Sequence, residues 1–163
     1  MHPEDTWKKL LVELVQEGEQ RAKIHLSENQ ESYLVFALRR FAQKCNFLDE
    51  ALALNYLISI SKPSYEQSML LADTADASLL IAGLYPERAK RLNVSSSYFM
   101  TLSKMSFFSL VDVCEKLKHK GEASLYKELG ENVSNLVSVL YCTRRNAITT
   151  PFLLEENNYT TLH

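Results

Sequence analysis

Apolar side chains recur along most of this chain at the spacing of an α-helix. The first such stretch places five of them on one helical face, namely Trp7, Leu10, Leu11, Leu14 and Val15. Only four glycines and four prolines interrupt the 163 residues, and several of them fall between the periodic stretches. The pattern predicts an all-α protein with no linker that would divide it into two domains.

We predict about six helices, packed as an irregular bundle. Their expected ranges are 3–16, 27–44, 46–60, 64–84, 95–120 and 122–143. Ser27 and Ser64 are each followed three residues later by glutamine, which is the spacing of a capping box at a helix start. Residues 86–94 are expected to form a charged connector, and Gly121 to cap the fifth helix in the left-handed conformation. The sequence leaves open whether the first helix continues beyond Gly18.

A chain of this length can bury one core without disulfides or a metal. We therefore predict a single helical domain over residues 1–145 and an extended C-terminal tail over residues 146–163. The tail contains three adjacent bulky apolar residues, Phe152, Leu153 and Leu154. Because their burial would offset the entropy lost on ordering, we expect them to dock in a groove of this bundle or of a second subunit. A wholly disordered terminus is the alternative.

The charge, hydropathy and cysteine content indicate the cellular compartment of the protein and the classes of partner that it does not bind. Eighteen basic and twenty acidic residues give a net charge of −2, so there is no overall positive field to hold nucleic acid. No apolar run approaches the roughly 18 to 20 residues of a membrane span, and the amino terminus lacks the features of a signal peptide. Three cysteines without a Cys-x-x-Cys pair favour reduced thiols. We therefore expect a cytoplasmic protein that neither binds nucleic acid nor spans a membrane.

The sequence lacks the local motifs of the common catalytic and cofactor sites. None of its four histidines follows a glutamate by three residues, and it has neither a Gly-rich phosphate loop nor a Gly-x-Ser-x-Gly elbow. We therefore predict no catalytic residue, no metal site and no cofactor. This expectation concerns local motifs, because a site can also be assembled from residues that are distant in sequence.

Asp76 is the acidic residue that stands out, because it shares one side of a predicted helix with apolar residues. Those neighbours are Ala72, Leu79 and Leu80. An unpaired buried carboxylate is costly, so a cation or several hydrogen-bond donors must meet it. Arg88, Arg91 and Tyr98 follow within the next connector and helix start. Asp76 therefore holds a helix corner together, or faces a ligand or partner in a cleft with these three residues, or is exposed.

The predicted fifth helix carries apolar residues around most of its circumference. A central position in the bundle is the simpler interpretation. Burial against a second copy is the alternative, and on it we base the prediction of a homodimer. The predicted interface residues are Phe99, Met100, Phe107 and Phe108, with Phe152, Leu153 and Leu154 from the tail.

Residues 76–88, with the sequence DASLLIAGLYPER, are followed by Val94-Ser95 and by the aromatic pair Tyr98-Phe99. This order resembles a family of uncharacterised bacterial all-α proteins, in which an Asp, a Gly-x-aromatic-Pro-Glu-Arg corner and an aromatic pair recur. In that family glycine often stands at the position of Ala75, and a second glycine is expected near Ser103. The resemblance implies a bacterial origin and a helical corner, and it implies no activity.

We expect a noncatalytic interaction or adaptor protein of the bacterial cytoplasm, which binds another protein through a helix face or through the corner near Arg88. The alternative is a small-ligand-binding protein or an enzyme whose cleft contains Asp76, Arg88 and Tyr98. A DNA-binding regulator is disfavoured because the sequence has no basic recognition helix.

Overall fold

The computed structural model describes residues 3–43 and 52–147. These residues form eight helices and no strand: α1 (Pro3–Ala22), α2 (Glu28–Gln43), α3 (Leu52–Ile60), α4 (Ser64–Leu84), α5 (Glu87–Arg91), α6 (Tyr98–Lys116), α7 (Lys120–Glu131) and α8 (Val133–Ala147). The prediction of an all-α protein is confirmed, and the predicted number of helices is too low. The expected start of the third helix near residue 46 and the docking of Phe152, Leu153 and Leu154 lie outside the described residues.

Helix α1 continues through Gly18 because α8 packs closely against it at this point. A Cβ atom at Gly18 would lie 2.7 Å from the carbonyl oxygen of Val139 and 2.7 Å from Cγ2 of Thr143. Glycine inside a helix costs about 0.5 to 1 kcal/mol relative to alanine, and the close packing that it allows here offsets that cost. The helix ends at Ala22, and the next residue, Lys23, has a φ angle of 57°.

The fifth predicted helix ends earlier than expected, and Gly121 does not cap it. Helix α6 ends at Lys116, and Lys118 adopts the left-handed conformation with a φ of 61°. The amide of His119 donates to the carbonyl of Cys114 at 2.8 Å, and the amide of Lys118 donates to Glu115 at 3.1 Å. These two bonds form a Schellman motif, so Gly121 lies inside the first turn of α7.

The last predicted helix is two helices that meet at Asn132. The Asn132 side chain donates to the carbonyl of Glu128 at 2.8 Å, and its backbone carbonyl accepts the first hydrogen bond of α8 from Leu136 at 3.0 Å. Asparagine favours such helix boundaries because its side chain competes for nearby backbone groups. The connector predicted over residues 86–94 contains the short helix α5, which starts directly after Pro86.

The two predicted capping boxes have different outcomes. Ser27 precedes α2, and its hydroxyl oxygen accepts a hydrogen bond from the Gln30 amide at 3.2 Å, which is one of the two bonds of the box. The Gln30 side chain donates to Oε1 of Glu128 at 3.2 Å. Ser64 is itself the first residue of α4, and Pro63 occupies the N-cap position without a side-chain hydrogen bond. The predicted limits of α4 nevertheless agree with the structure.

Helix α4 lies at the centre of the fold and is buried on nearly all sides between Leu71 and Ile81. It packs against α3, α6 and α8, while α1 packs on α2 and α8, and α7 packs on α6. The fully buried side chains of the core include Leu34, Leu79, Leu80, Phe107, Leu136 and Leu140. The small residues Ala75 and Ser103 bring α4 and α6 together, and the Ser103 hydroxyl donates to the Ala75 carbonyl at 3.0 Å.

Within the part of the chain that the structure describes, no helix combines the length and the apolar character needed to cross a bilayer.

Candidate functional site

Asp76 is buried in the centre of α4, as its apolar neighbours predict, and two donors from α2 meet its carboxylate. The Tyr33 hydroxyl donates to Oδ1, and Nη1 of Arg40 donates to Oδ2 at 2.7 Å. The same guanidinium reaches Oδ1 of Asp73 through Nη2 at 2.5 Å. Arg40 and Tyr33 lie two turns apart on α2, so one face of that helix is tied to α4.

Burial dominates the electrostatics of this group. Desolvation raises the pKa of Asp76 to about 6, although the hydrogen bond from Tyr33 and the charge of Arg40 act in the opposite direction. Burial and the neighbouring Asp76 charge raise the pKa of Tyr33 well above its usual value. Burial likewise raises the pKa of Tyr126 to about 12. The arrangement therefore keeps both phenols protonated and suits a structural clamp between α2 and α4.

The structure does not bring the predicted corner residues to Asp76. Arg88 lies partly buried in α5, Arg91 is exposed at the end of that helix, and Tyr98 opens α6 with its ring 5.1 Å from the ring of Phe99. The hydrogen bonds that Asp76 accepts in the described residues come from α2 instead. Sequence analysis missed Tyr33 and Arg40, whose seven-residue spacing on one helical face is the signal that could have pointed to them.

Two of the predicted interface residues lie inside the core. Phe99 is 5% exposed and Phe107 is fully buried, with its ring 5.8 Å from that of Tyr33. Met100 and Phe108 are partly buried. This burial agrees with the central position of the predicted fifth helix, and it removes Phe99 and Phe107 as a surface for a second copy.

Helix α3 is the most exposed apolar element of the described chain. Its side chains Leu54, Leu57 and Ile58 are exposed by 55%, 62% and 40%, and they lie on one helical face because they are three and four residues apart. We call these three residues the α3 face. Tyr65 and Met69, one turn apart in the first half of α4, are exposed as well.

A cavity of about 430 Å³ lies where the end of α1 turns towards α2. Its lining residues include Gln16, Glu19, Gln20, Lys23, His25 and Glu31. Gln16, Glu19 and Gln20 form one stripe of α1, because the last two follow the first by three and four residues. Lys23 follows the end of that helix, and Glu31 comes from the first turn of α2. We call this the Glu19 cavity. The stripe is visible in the sequence, where it reads as an ordinary solvated helix face.

Glu19 is buried although a glutamate with its ordinary pKa is ionised at neutral pH. Its side chain is 8% exposed, and Oε2 accepts the Leu26 amide at 3.4 Å. Oε1 is buried and no hydrogen-bond donor of the described residues reaches it. Desolvation, with a smaller effect of Glu31, raises the pKa of Glu19 to about 7. A proton shared between the Glu19 and Glu31 carboxyl groups satisfies this arrangement.

Comparison with protein-family models, with curated proteins and with solved structures finds no match to this chain. Within residues 3–43 and 52–147, no group of three or more histidine, cysteine, aspartate or glutamate side chains is placed to hold a metal ion.

Proposed function

We propose that this chain is a noncatalytic interaction protein that assembles as a homodimer through the α3 face. The exposure of Leu54, Leu57 and Ile58 on one helical face carries the proposal. Full burial of an exposed leucine or isoleucine contributes roughly 1.5 to 3 kcal/mol, and the exposed fractions of these residues leave roughly half of that for each one. Three residues from each copy therefore provide a driving force for association. The proposed dimer contact is therefore the α3 face and not Phe99 and Phe107, which are buried within the chain.

The absence of charge on α3 favours a second copy as the occupant. Residues 52–61, with the sequence LALNYLISIS, contain no acidic or basic side chain. In a dimer with twofold symmetry the same patch meets itself, and a charged patch would then place like charges opposite each other. The α3 face avoids that repulsion, and it offers no charge pattern by which a different partner would be selected.

The adaptor role places a further protein partner at another surface. The exposed basic residues Lys90 and Arg91 next to Arg88 at the α4–α5 corner support this part of the proposal, because such a corner can meet an acidic protein surface. We assign the protein to the bacterial cytoplasm. The resemblance around Asp76 and the free thiols of Cys114 and Cys142 support that setting.

The homodimer is tested by light scattering coupled to gel filtration. We expect a mass of twice 18.7 kDa for the unmodified chain and a monomer for the Leu57→Glu variant, because the glutamate would be buried without a partner. Leu10→Glu is the matched control, since Leu10 is 60% exposed on α1, and it should leave the mass unchanged. A monomeric unmodified chain at about 100 μM, which corresponds to a free energy of association weaker than about −5.5 kcal/mol, would contradict the proposal.

A further inference from the structure

A small cavity opens between α1 and α2 beside the ring of Phe36, which is 53% exposed. Its apolar wall consists of Val12, Val15, Val35 and Phe36, and its volume is about 90 Å³. We call it the Phe36 cavity. This volume is well below the roughly 300 to 1,000 Å³ of small-molecule sites. It suits a single apolar side chain of a docked segment, which is how a protein surface usually receives an anchor residue.

The two ends of the Phe36 cavity differ in charge. Lys8 lines the cavity near the start of α1. The guanidinium of Arg39 is close by, 4.5 Å from the centroid of the Trp7 ring, and that ring is 6.3 Å from the ring of Phe36. Glu31 lines the other end, in the first turn of α2. The cavity therefore favours an apolar side chain that is accompanied by carboxylates on the side of Lys8 and Arg39.

The chain leaves α8 at the same end of the bundle as these two cations. The rings of Phe41 in α2 and Tyr85 after α4 are 6.2 Å apart, and Nη1 of Arg144 in α8 donates to Oε2 of Glu87 at 2.9 Å. The ends of α2, α4 and α8 therefore lie together. The start of α1 joins them, because Trp7 contacts the second half of α2.

The residues that follow α8 have the composition that this cavity favours. Phe152, Leu153 and Leu154 are followed directly by Glu155 and Glu156. Position 152 is five residues beyond the end of α8, so a chain that rises 3.3 to 3.6 Å per residue spans about 17 Å to reach it. That length exceeds the roughly 10 to 12 Å diameter of a helix, and it is enough to cross α1 to the Phe36 cavity.

We propose that residues 152–156 dock on the Phe36 cavity of their own chain. The side chain of Phe152 fills the cavity, and the carboxylates of Glu155 and Glu156 lie beside Lys8 and Arg39. Burial of the phenylalanine provides the driving force, and the charge pairs fix the direction of the segment.

The α3 face, which is the other exposed apolar surface considered, fits this segment less well. Residues 52–61 carry no charge, and the cation next to them, Lys62, precedes the start of α4. Helix α4 has 21 residues and is therefore about 30 Å long, so Lys62 lies at the opposite end of the bundle from the end of α8. A segment that begins there reaches the Phe36 cavity and its cations before it reaches Lys62.

The test is carbodiimide cross-linking of the full chain, which joins a lysine amine to a carboxylate in contact with it, followed by mass spectrometry of the peptides. We expect a cross-link from Lys8 to Glu155 or Glu156. Lys9 is the matched control, because it is exposed as well but points about 100° away around α1. A mixture of ¹⁴N- and ¹⁵N-labelled chains should give cross-links within one chain and none between the two.

A Phe152→Ala variant tests the anchor. It should reduce the Lys8 cross-link to the level of Lys9. It should also shift the emission of Trp7, the single tryptophan of the chain, to longer wavelength, because water then reaches the rings of Phe36 and Trp7. Leu162→Ala, which removes an apolar side chain outside the docked segment, should leave both signals unchanged, and circular dichroism verifies that the variants keep their helices.

Four results would overturn the proposal. They are equal cross-linking of Lys8 and Lys9 in the unmodified chain, an unchanged Lys8 cross-link in Phe152→Ala, and a dominant cross-link to Lys62, which would place the segment at the α3 face. The fourth is a cross-link between ¹⁴N- and ¹⁵N-labelled chains, which would show that the segment docks on a second copy.

Discussion

Two buried carboxyl groups of this protein have opposite surroundings. Asp76 accepts hydrogen bonds from a phenol and a guanidinium, whereas one oxygen of Glu19 receives no donor from the described residues. Because both carboxylate oxygens of Asp76 accept a hydrogen bond from α2, Asp76 links α4 to that helix. Glu19 instead lies against the Glu31 carboxyl group, and this pair favours holding a proton.

At the residue scale, we predict that Asp76→Ala lowers the free energy of unfolding by about 1 to 3 kcal/mol. The substitution leaves the buried Tyr33 hydroxyl and one side of Arg40 without an acceptor. Asp73→Ala is the matched control, because Asp73 binds the same guanidinium but is 55% exposed; it should cost less than about 1 kcal/mol. Urea denaturation of both variants measures the difference, and equal values for the two would show that burial does not set the strength of these contacts.

The burial of Asp76 could be predicted from the sequence, but its partners could not. Its apolar neighbours one turn away already place it on the inner side of α4. The donors Tyr33 and Arg40, however, are 43 and 36 residues away, and only the packing of α2 against α4 brings them together. The same holds for Glu19, because only the turn after α1 brings the Leu26 amide and the Glu31 carboxyl group against it.

At the scale of the elements, three helices end with the same backbone arrangement and none of them uses glycine. Lys23, Asn93 and Lys118 have φ angles of 57°, 56° and 61° after α1, α5 and α6. In each case the next amide reaches back to a carbonyl of the last turn, as Val94 does to Ala89 at 3.0 Å. A lysine in this conformation carries a steric cost of about 1 to 2 kcal/mol, which the helix packing overcomes.

We therefore predict that Lys118→Gly stabilises the fold by about 1 kcal/mol, because glycine adopts the left-handed conformation without the Cβ clash.

Gly121→Ala should also stabilise the fold, by about 0.4 to 1 kcal/mol, since Gly121 lies in a helix, has no positive φ and has open space around its Cβ position. Thermal denaturation of the two variants checks both values. A loss of stability in Gly121→Ala would indicate that Gly121, and not Lys118, adopts the left-handed conformation at this helix end.

The residues at which helices begin and end are harder to predict from the sequence than the presence of the helices. The apolar stripe of Leu125, Leu129, Val133, Leu136 and Leu140 continues across the break between α7 and α8. Periodicity alone therefore predicts one helix there. The break depends on the side-chain bond from Asn132 to Glu128, a local competition that the hydrophobic pattern does not register.

At the scale of the whole molecule, the buried acids couple folding to pH. Burial raises the pKa of Glu19 from 4.5 to about 7 and that of Asp76 from 3.8 to about 6. The folded chain therefore binds these protons more tightly than the unfolded chain does. Stability from this source is complete below the unfolded pKa and is lost as the pH rises through the folded pKa, so the fold should be more stable in mildly acidic solution than above neutrality.

Glu19→Gln separates the contribution of Glu19 from that of Asp76. Between about pH 5 and pH 8 the unmodified chain should lose about 1 to 3 kcal/mol more unfolding free energy than the variant, because glutamine has no proton to release. Urea denaturation at the two pH values measures this difference, and Glu13→Gln, which removes an exposed carboxylate from α1, should behave as the unmodified chain does. Because Asp76 is present in all three proteins, its contribution cancels. Equal pH dependence in the Glu19→Gln variant would mean that water or a rearranged side chain satisfies Glu19 in the ionised state, which would contradict the raised pKa of this group.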